Sequence, residues 1–173
     1  MPDATATMAL YGARQLANGM RAVRANTIRI AEDIPESKYG FRATPTTRSV
    51  AETLVHIAWL ATSDRTIHDV HRIATVEGFD FGALMATSTV EERAPRSKAE
   101  ILELLRASGE EAARWIETRT DEFLAEEVAF PGGAPVTRFE WLLATKEHEL
   151  QHRAPLTVLE RLMGIEPRFT GLA

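Results

Sequence analysis

Apolar residues recur every three or four positions in four stretches of the chain, which is the spacing of one face of an α-helix. The first stretch runs from about residue 5 to 33, the second from 49 to about 76, the third from 97 to 116 and the fourth from 137 to 163. Each such helix must bury its apolar face against a neighbour. The pattern therefore predicts an all-α fold, an antiparallel four-helix bundle.

Local signals mark where the predicted helices begin and end. Three capping boxes, in which a Ser or Thr and the Glu three residues later satisfy free backbone donors, predict helix starts at Ser49, Ser97 and Thr137. Residues 35–48 contain two prolines and a glycine and predict an irregular loop. Residues 77–96 show no sustained period and predict a surface connection or a lid. Residues 128–136 are compatible with a short hairpin before the last helix.

Composition narrows the classes of partner. The 173 residues are 45% apolar and 26% charged, which fits one domain over residues 1–173. The net charge of -5 is dispersed, so neither nucleic acid nor an anionic membrane surface is an expected partner, and a small-molecule site is favoured. The chain has no cysteine, which excludes disulfides and thiolate ligands. Without an apolar run of about 20 residues or a signal peptide, a cytoplasmic location is expected.

The inward face of the fourth predicted helix turns polar in its middle, where Glu149 and His152 interrupt a seam of leucines. His148 and His152 lie four residues apart, so their rings project from the same side of successive turns and can reach one ion. His56 lies on the inward face of the second helix and could supply a third ligand.

A histidine in a bundle is often only a hydrogen-bonded core residue. The pair in the polar interruption favours a divalent metal ion held by His56, His148 and His152. Three neutral imidazoles leave coordination positions open, as in catalytic rather than structural sites. Imidazole suits zinc, nickel and iron alike, so the metal identity stays open. His68 and His71 fall at another level of the bundle, where a solvated helix end accounts for them.

The segment His148-Glu-Leu-Gln-His152 also matches the zincin protease pattern, in which the glutamate is a general base. Pro155 and Val158 stand where the extended pattern needs glycine and histidine, which disfavours proteolysis. Glu149 can instead support the ligands, form a salt bridge or act as a general base. Arg153 can bind an anionic substrate or pair with Glu149 at the i to i+4 spacing. Both are candidate catalytic residues.

Aromatic residues give no separate signal for a substrate site. Trp59, Trp115 and Trp141 lie at helical spacing, which is more typical of core residues than of substrate contacts.

Three segments resemble the DinB/YfiT-like family of metalloenzymes. They are Pro35-Glu-Ser-Lys-Tyr39-Gly-Phe41 with Thr44-Pro45, then Ser49-Val-Ala-Glu-Thr-Leu-Val-His56-Ile-Ala-Trp59, and finally His148-Glu-Leu-Gln-His152-Arg153. The resemblance implies a four-helix bundle, a divalent metal on His56, His148 and His152, and a homodimer. The chain departs from the family where Ala154-Pro155 replaces a common Gly-Gln pair. A proline there leaves the carbonyl of Gln151 without its helix hydrogen bond.

The resemblance leaves several functions open. The first is a metal-dependent transferase or isomerase that uses a low-molecular-weight thiol, such as bacillithiol or mycothiol, as cosubstrate, as some proteins of this family do. One alternative is a metal-dependent hydrolase with Glu149 as general base. Another is a non-catalytic metal-binding stress or binding protein, which would have a closed coordination shell and no pocket.

Overall fold

The computed structural model describes residues 11–168, so the predicted start of the first helix near residue 5 lies outside the described residues. Within them the α-helices are α1 (Ala13–Asp33), α2 (Val50–Arg65), α3 (Phe81–Arg93), α4 (Lys98–Glu117), α5 (Asp121–Ala125) and α6 (Arg138–Leu162). A 3-10 turn, Glu36–Lys38, follows α1, and a π-helical turn, Thr66–Val70, follows α2. Strands β1 (Glu127–Val128) and β2 (Val136–Thr137) form an antiparallel hairpin before α6. This hairpin lies where the sequence allowed one.

The four long helices α1, α2, α4 and α6 form the predicted four-helix bundle. Helices α1 and α2 each pack against α4 and α6, which places α1 and α2 diagonally across the bundle. Helix α1 is antiparallel to α4, because ion pairs join Arg21 to Glu117 and Arg106 to Glu32. Helix α2 is likewise antiparallel to α6. Helices α2 and α4 run in the same direction, because α3 carries the chain back along the bundle between them.

All three predicted capping boxes are present. The hydroxyl of each capping residue accepts the backbone N–H three residues on, and the glutamate there accepts the N–H of the capping residue. The pairs are Ser49 with Glu52, Ser97 with Glu100 and Thr137 with Glu140.

The segment between α2 and α4 differs from the prediction in two ways. The α-helix of α2 ends at Arg65 rather than near residue 76, because the chain widens into the π-helical turn. Residues 81–93 form α3, where no helix was predicted. Its one buried residue is Ser88, so α3 lacks the apolar stripe on which the prediction depended. The side chain of Asp80 caps this helix by accepting the N–H of Ala83.

The apolar core consists of two clusters. One includes Leu54, Ile57, Leu105 and Leu156, and the other includes Leu16, Ile116 and Leu142. Within residues 11–168, no helix combines the length and apolar character that crossing a membrane requires. The α2–α6 interface between the clusters carries the polar residues of the candidate site.

Candidate metal centre

Helices α2 and α6 bring His56, His148 and His152 together. One ring nitrogen from each histidine lies within 4.8 Å of the other two. The Nε2 atoms of His148 and His152 are 2.8 Å apart. The ring centroid of His56 lies 4.7 Å from that of His152 and 5.9 Å from that of His148. The three residues selected from the sequence are therefore one spatial cluster.

Glu92 orients the buried ring of His56. Its Oε1 atom lies 2.8 Å from His56 Nδ1, and the hydroxyl of Ser88 lies 3.3 Å from the same nitrogen. Arg48 holds the carboxylate of Glu92 through Nε at 2.7 Å and Nη2 at 3.2 Å. A carboxylate on Nδ1 fixes the neutral ring in the tautomer whose Nε2 is free to bind a metal.

The surroundings favour the neutral, metal-binding form of the three imidazoles. Burial lowers the pKa of each ring, and the positive charge of nearby Arg48 lowers it further. The pKa of His152 is lowered to about 4. Burial alone would raise the pKa of Glu92, but hydrogen bonds from Arg48, Ser88 and His56 outweigh burial and lower it. Glu92 is therefore an ionised acceptor beside neutral histidines.

The donor set fits a divalent transition metal. An ion about 2.0 to 2.1 Å from tetrahedrally arranged nitrogens separates them by about 3.3 Å. The Nε2 atoms of His148 and His152 would have to move apart by only about 0.5 Å from their 2.8 Å separation to reach that distance. All three donors are imidazoles, which does not select among zinc, nickel and iron.

Glu149 and Arg153, the two candidate catalytic residues, do not pair with each other. The Glu149 carboxylate accepts hydrogen bonds from Arg24 Nε and Nη2, both at 3.0 Å, and from Thr27 Oγ1 at 2.7 Å. Glu149 therefore forms a salt bridge inside the bundle, which is one of the three roles that the sequence left open for it. The Nη1 atom of Arg153 is buried, and no residue among 11–168 hydrogen bonds to it.

His68 and His71 lie outside the metal cluster, but the expected solvated helix end is wrong for His68. Its ring is fully buried, and its Nδ1 accepts a hydrogen bond of 2.9 Å from Arg138. The π-helical turn places it inside the bundle, with its ring edge-to-face on Trp141 at 5.0 Å. His71 is exposed.

Two cavities adjoin the cluster on opposite sides. One, of about 380 Å³, is lined by His148 together with residues of α2, β2 and α6. The other, of about 860 Å³, is lined by His152 and includes the side chains of Arg42, Arg48 and Arg93. His148 and His152 are thus accessible to small molecules, each from its own cavity.

Sequence reasoning missed Glu92, Ser88 and Arg48. The two residues on α3 were missed because that helix was not predicted. Asp80, followed by the helix-favouring run Ala83-Leu-Met-Ala86, is the signal that could have revealed it.

A sequence profile of the DinB superfamily matches residues 20–155. No curated protein gives a significant match. The fold is similar to that of a DinB-like protein, YjoA, from Bacillus subtilis, with 21% identity, a TM-score of 0.63 and coverage of 92% of this chain and 99% of that one. It is also similar to YfiT from Bacillus subtilis, described as a probable metal-dependent hydrolase with an unusual four-helix bundle topology. That likeness has 17% identity, a TM-score of 0.67 and coverage of 96% of this chain and 94% of YfiT. With the profile covering most of its length, the chain belongs to the DinB superfamily.

Proposed function

We propose that this protein is a divalent-metal-dependent enzyme that uses a low-molecular-weight thiol as cosubstrate in an S-transfer or isomerisation reaction. The observation that carries the proposal is the cluster of three neutral imidazoles with open cavities on both sides. His56, His148 and His152 would hold the ion. A bound divalent ion would supply the positive charge that lowers the pKa of a thiol.

The carboxylates near the cluster favour thiol chemistry over hydrolysis. Attack by water usually needs a general base within hydrogen-bond reach. Glu149 is held by Arg24 and Thr27, and Glu92 is held by Arg48 and His56. Neither carboxylate is free to accept a proton from water, whereas an acidic thiol loses its proton to solvent.

The cavity beside His152 suits a polar thiol. Arg42 pairs with Glu52, and Arg48 pairs with Glu92, so both guanidinium groups are partly neutralised. The third, Arg93, is exposed and lines the same cavity. Arginine binds carboxylates in a planar, bidentate arrangement. A thiol that carries a carboxylate can therefore place its anionic end here while its sulfur approaches the histidines.

In the transfer reaction the sulfur forms a bond to an electrophilic carbon. The leaving group departs with the electron pair of the bond that breaks, and the thiol proton goes to solvent. The protein holds the two reactants in adjacent cavities, which removes much of the entropic cost of bringing them together.

Metal-dependent hydrolysis is the second candidate, because YfiT is described as a probable metal-dependent hydrolase. A non-catalytic binding protein is less well supported, because it would close the coordination shell and need no cavities. A homodimer, implied by the family resemblance, and a cytoplasmic location, expected from the sequence, both remain part of the proposal.

Metal content comes first. Mass spectrometry of the untagged protein should find about one ion per chain, and a triple variant with His56, His148 and His152 changed to Ala should lose it. His71→Ala, an exposed histidine outside the cluster, is the matched control and should keep the ion. An empty wild type after reconstitution with zinc, nickel, iron and manganese would refute the metal site.

Thiol dependence is tested next, on protein loaded with cobalt(II). Added thiol should produce a sulfur-to-cobalt charge-transfer absorption, and turnover of electrophiles should require thiol. Turnover of ester or amide substrates without any thiol would favour the hydrolase instead.

A further inference from the structure

The cavity on the His148 side lies between α2, the hairpin and α6. Its walls include Leu60, Phe130, Trp141 and Ala144, and its volume is about 380 Å³. His148 lines this cavity and also belongs to the histidine cluster. A molecule in the cavity is therefore in contact with a residue proposed to hold the ion.

The polar side chains of the wall are already engaged elsewhere. The hydroxyl of Thr145 donates to the buried carboxylate of Asp64 at 3.1 Å. The carboxylate of Glu140 caps its own helix by accepting from the backbone N–H and the hydroxyl of Thr137, at 2.7 and 2.8 Å. Apart from His148, the wall offers mainly apolar surface to a ligand.

The aromatic part of the wall is held in place by its neighbours. The ring of Trp141 packs edge-to-face on buried His68, and its centroid lies 5.5 Å from that of Phe130 and 6.3 Å from that of Phe81. The carboxylate of Asp64, which accepts the hydrogen bond from Thr145, is itself buried. Little side-chain entropy would be lost on binding, so this surface is preorganised for a flat apolar group.

We infer that this cavity binds the apolar, ring-bearing part of the electrophilic substrate, with Trp141 and Phe130 setting the preference. The inference rests on the proposed function, because it assigns the second reactant to the side of the cluster opposite the arginines. The volume lies within the range of about 300 to 1,000 Å³ typical of small-molecule sites. The direct contact with His148 favours a substrate over a protein partner.

The test fills the cavity by a substitution at its rim. Ala144 is exposed, so Ala144→Trp places an indole in the cavity without disturbing the core. Val158→Trp, on the same helix at a residue 54% exposed and outside the cavity lining, is the matched control. The probe is 2-naphthol, titrated by calorimetry into zinc-loaded and into metal-free protein.

We expect wild type and Val158→Trp to bind one naphthol per chain. Ala144→Trp should bind it about ten- to a hundredfold more weakly, the loss expected when an aromatic group can no longer be buried. Equal affinity in Ala144→Trp and wild type would overturn the inference. Failure of the wild type to bind naphthol would also overturn it. If the wild type fails to bind and Ala144→Trp converts a dimer to a monomer, the cavity is covered by a second copy of the chain rather than by a substrate.

The same titration separates this inference from the proposed function. Naphthol binding that depends on Ala144, in a protein that cannot hold metal, would support the cavity and refute the metalloenzyme. Metal and thiol binding without naphthol binding would support the metalloenzyme and refute the cavity assignment.

Discussion

Arg24 and Glu149 form an ion pair at the centre of the bundle, and its removal is a demanding test of the fold. Arg24 is 5% exposed and donates five hydrogen bonds. Two reach Glu149, and the others reach the backbone carbonyls of Leu105 and Ile57 and the hydroxyl of Ser108. The guanidinium therefore joins all four long helices.

Arg24→Met would keep much of the side-chain volume but leave the charge of Glu149 buried with Thr27 as its remaining partner. Breaking a buried pair on one side costs about 3 to 5 kcal/mol of unfolding free energy. In a chain of this size that corresponds to a fall in melting temperature of roughly 10 °C. Replacing both charges, in Arg24→Met/Glu149→Leu, should recover at least half of the loss, because no unpaired charge then remains.

Urea denaturation followed by circular dichroism measures these free energies. Arg29→Met, at an exposed position on the same helix, is the control and should change stability by less than about 0.5 kcal/mol. A loss below about 1 kcal/mol for Arg24→Met would refute the reasoning, since it would mean that water reaches Glu149. A double variant less stable than Arg24→Met would contradict the assigned cause.

Two further predictions concern packing and pH. A Cβ at Gly109 would lie 2.7 Å from Arg24 Cγ, so Gly109→Ala should cost about 1 to 3 kcal/mol in urea denaturation, whereas Gly40→Ala, with no atom within 4 Å, should be nearly neutral. Burial raises the pKa of Glu160 from 4.5 to about 7. Between these two pH values the folded state retains a proton that the unfolded state releases. The free energy of unfolding should therefore fall as pH rises from about 4.5 to about 7. Glu160→Gln should lessen the fall in melting temperature between pH 5 and pH 8. The exposed Glu166→Gln should leave that fall unchanged, and equal slopes in the two variants would contradict the assignment to Glu160.

The long helices were predictable because their signals are local. Periodic apolar residues and the three capping boxes fix the helix faces and starts within a few neighbouring residues. The histidine cluster was predictable for a similar reason. Two histidines four residues apart on a helix must lie on the same side of successive turns. The polar residues that interrupt the apolar face show that this side faces the interior.

The remainder depends on contacts between distant residues. Helix α3 packs through polar groups, so its sequence carries no apolar stripe, and Glu92 reaches His56 across 36 residues of chain. The ion pair of Glu149 has the same origin. Glu149 pairs with Arg24 rather than with Arg153 at i+4. Arg24 donates two hydrogen bonds to the carboxylate, and the hydroxyl of neighbouring Thr27 donates a third. The sequence pattern of one helix cannot predict a partner that lies on another helix.

In a chain without cysteine, no disulfide can cross-link the helices, but a metal ion on the histidine cluster could. A metal ion on His56 and His148 would join points 92 residues apart and act as a reversible cross-link between α2 and α6. By a loop-closure estimate, a link across a loop of that size is worth about 4 to 5 kcal/mol. In the metal-loaded protein these helices could not separate without releasing the ion. Metal loss would loosen this interface first, which couples the lifetime of the fold to the supply of the cofactor.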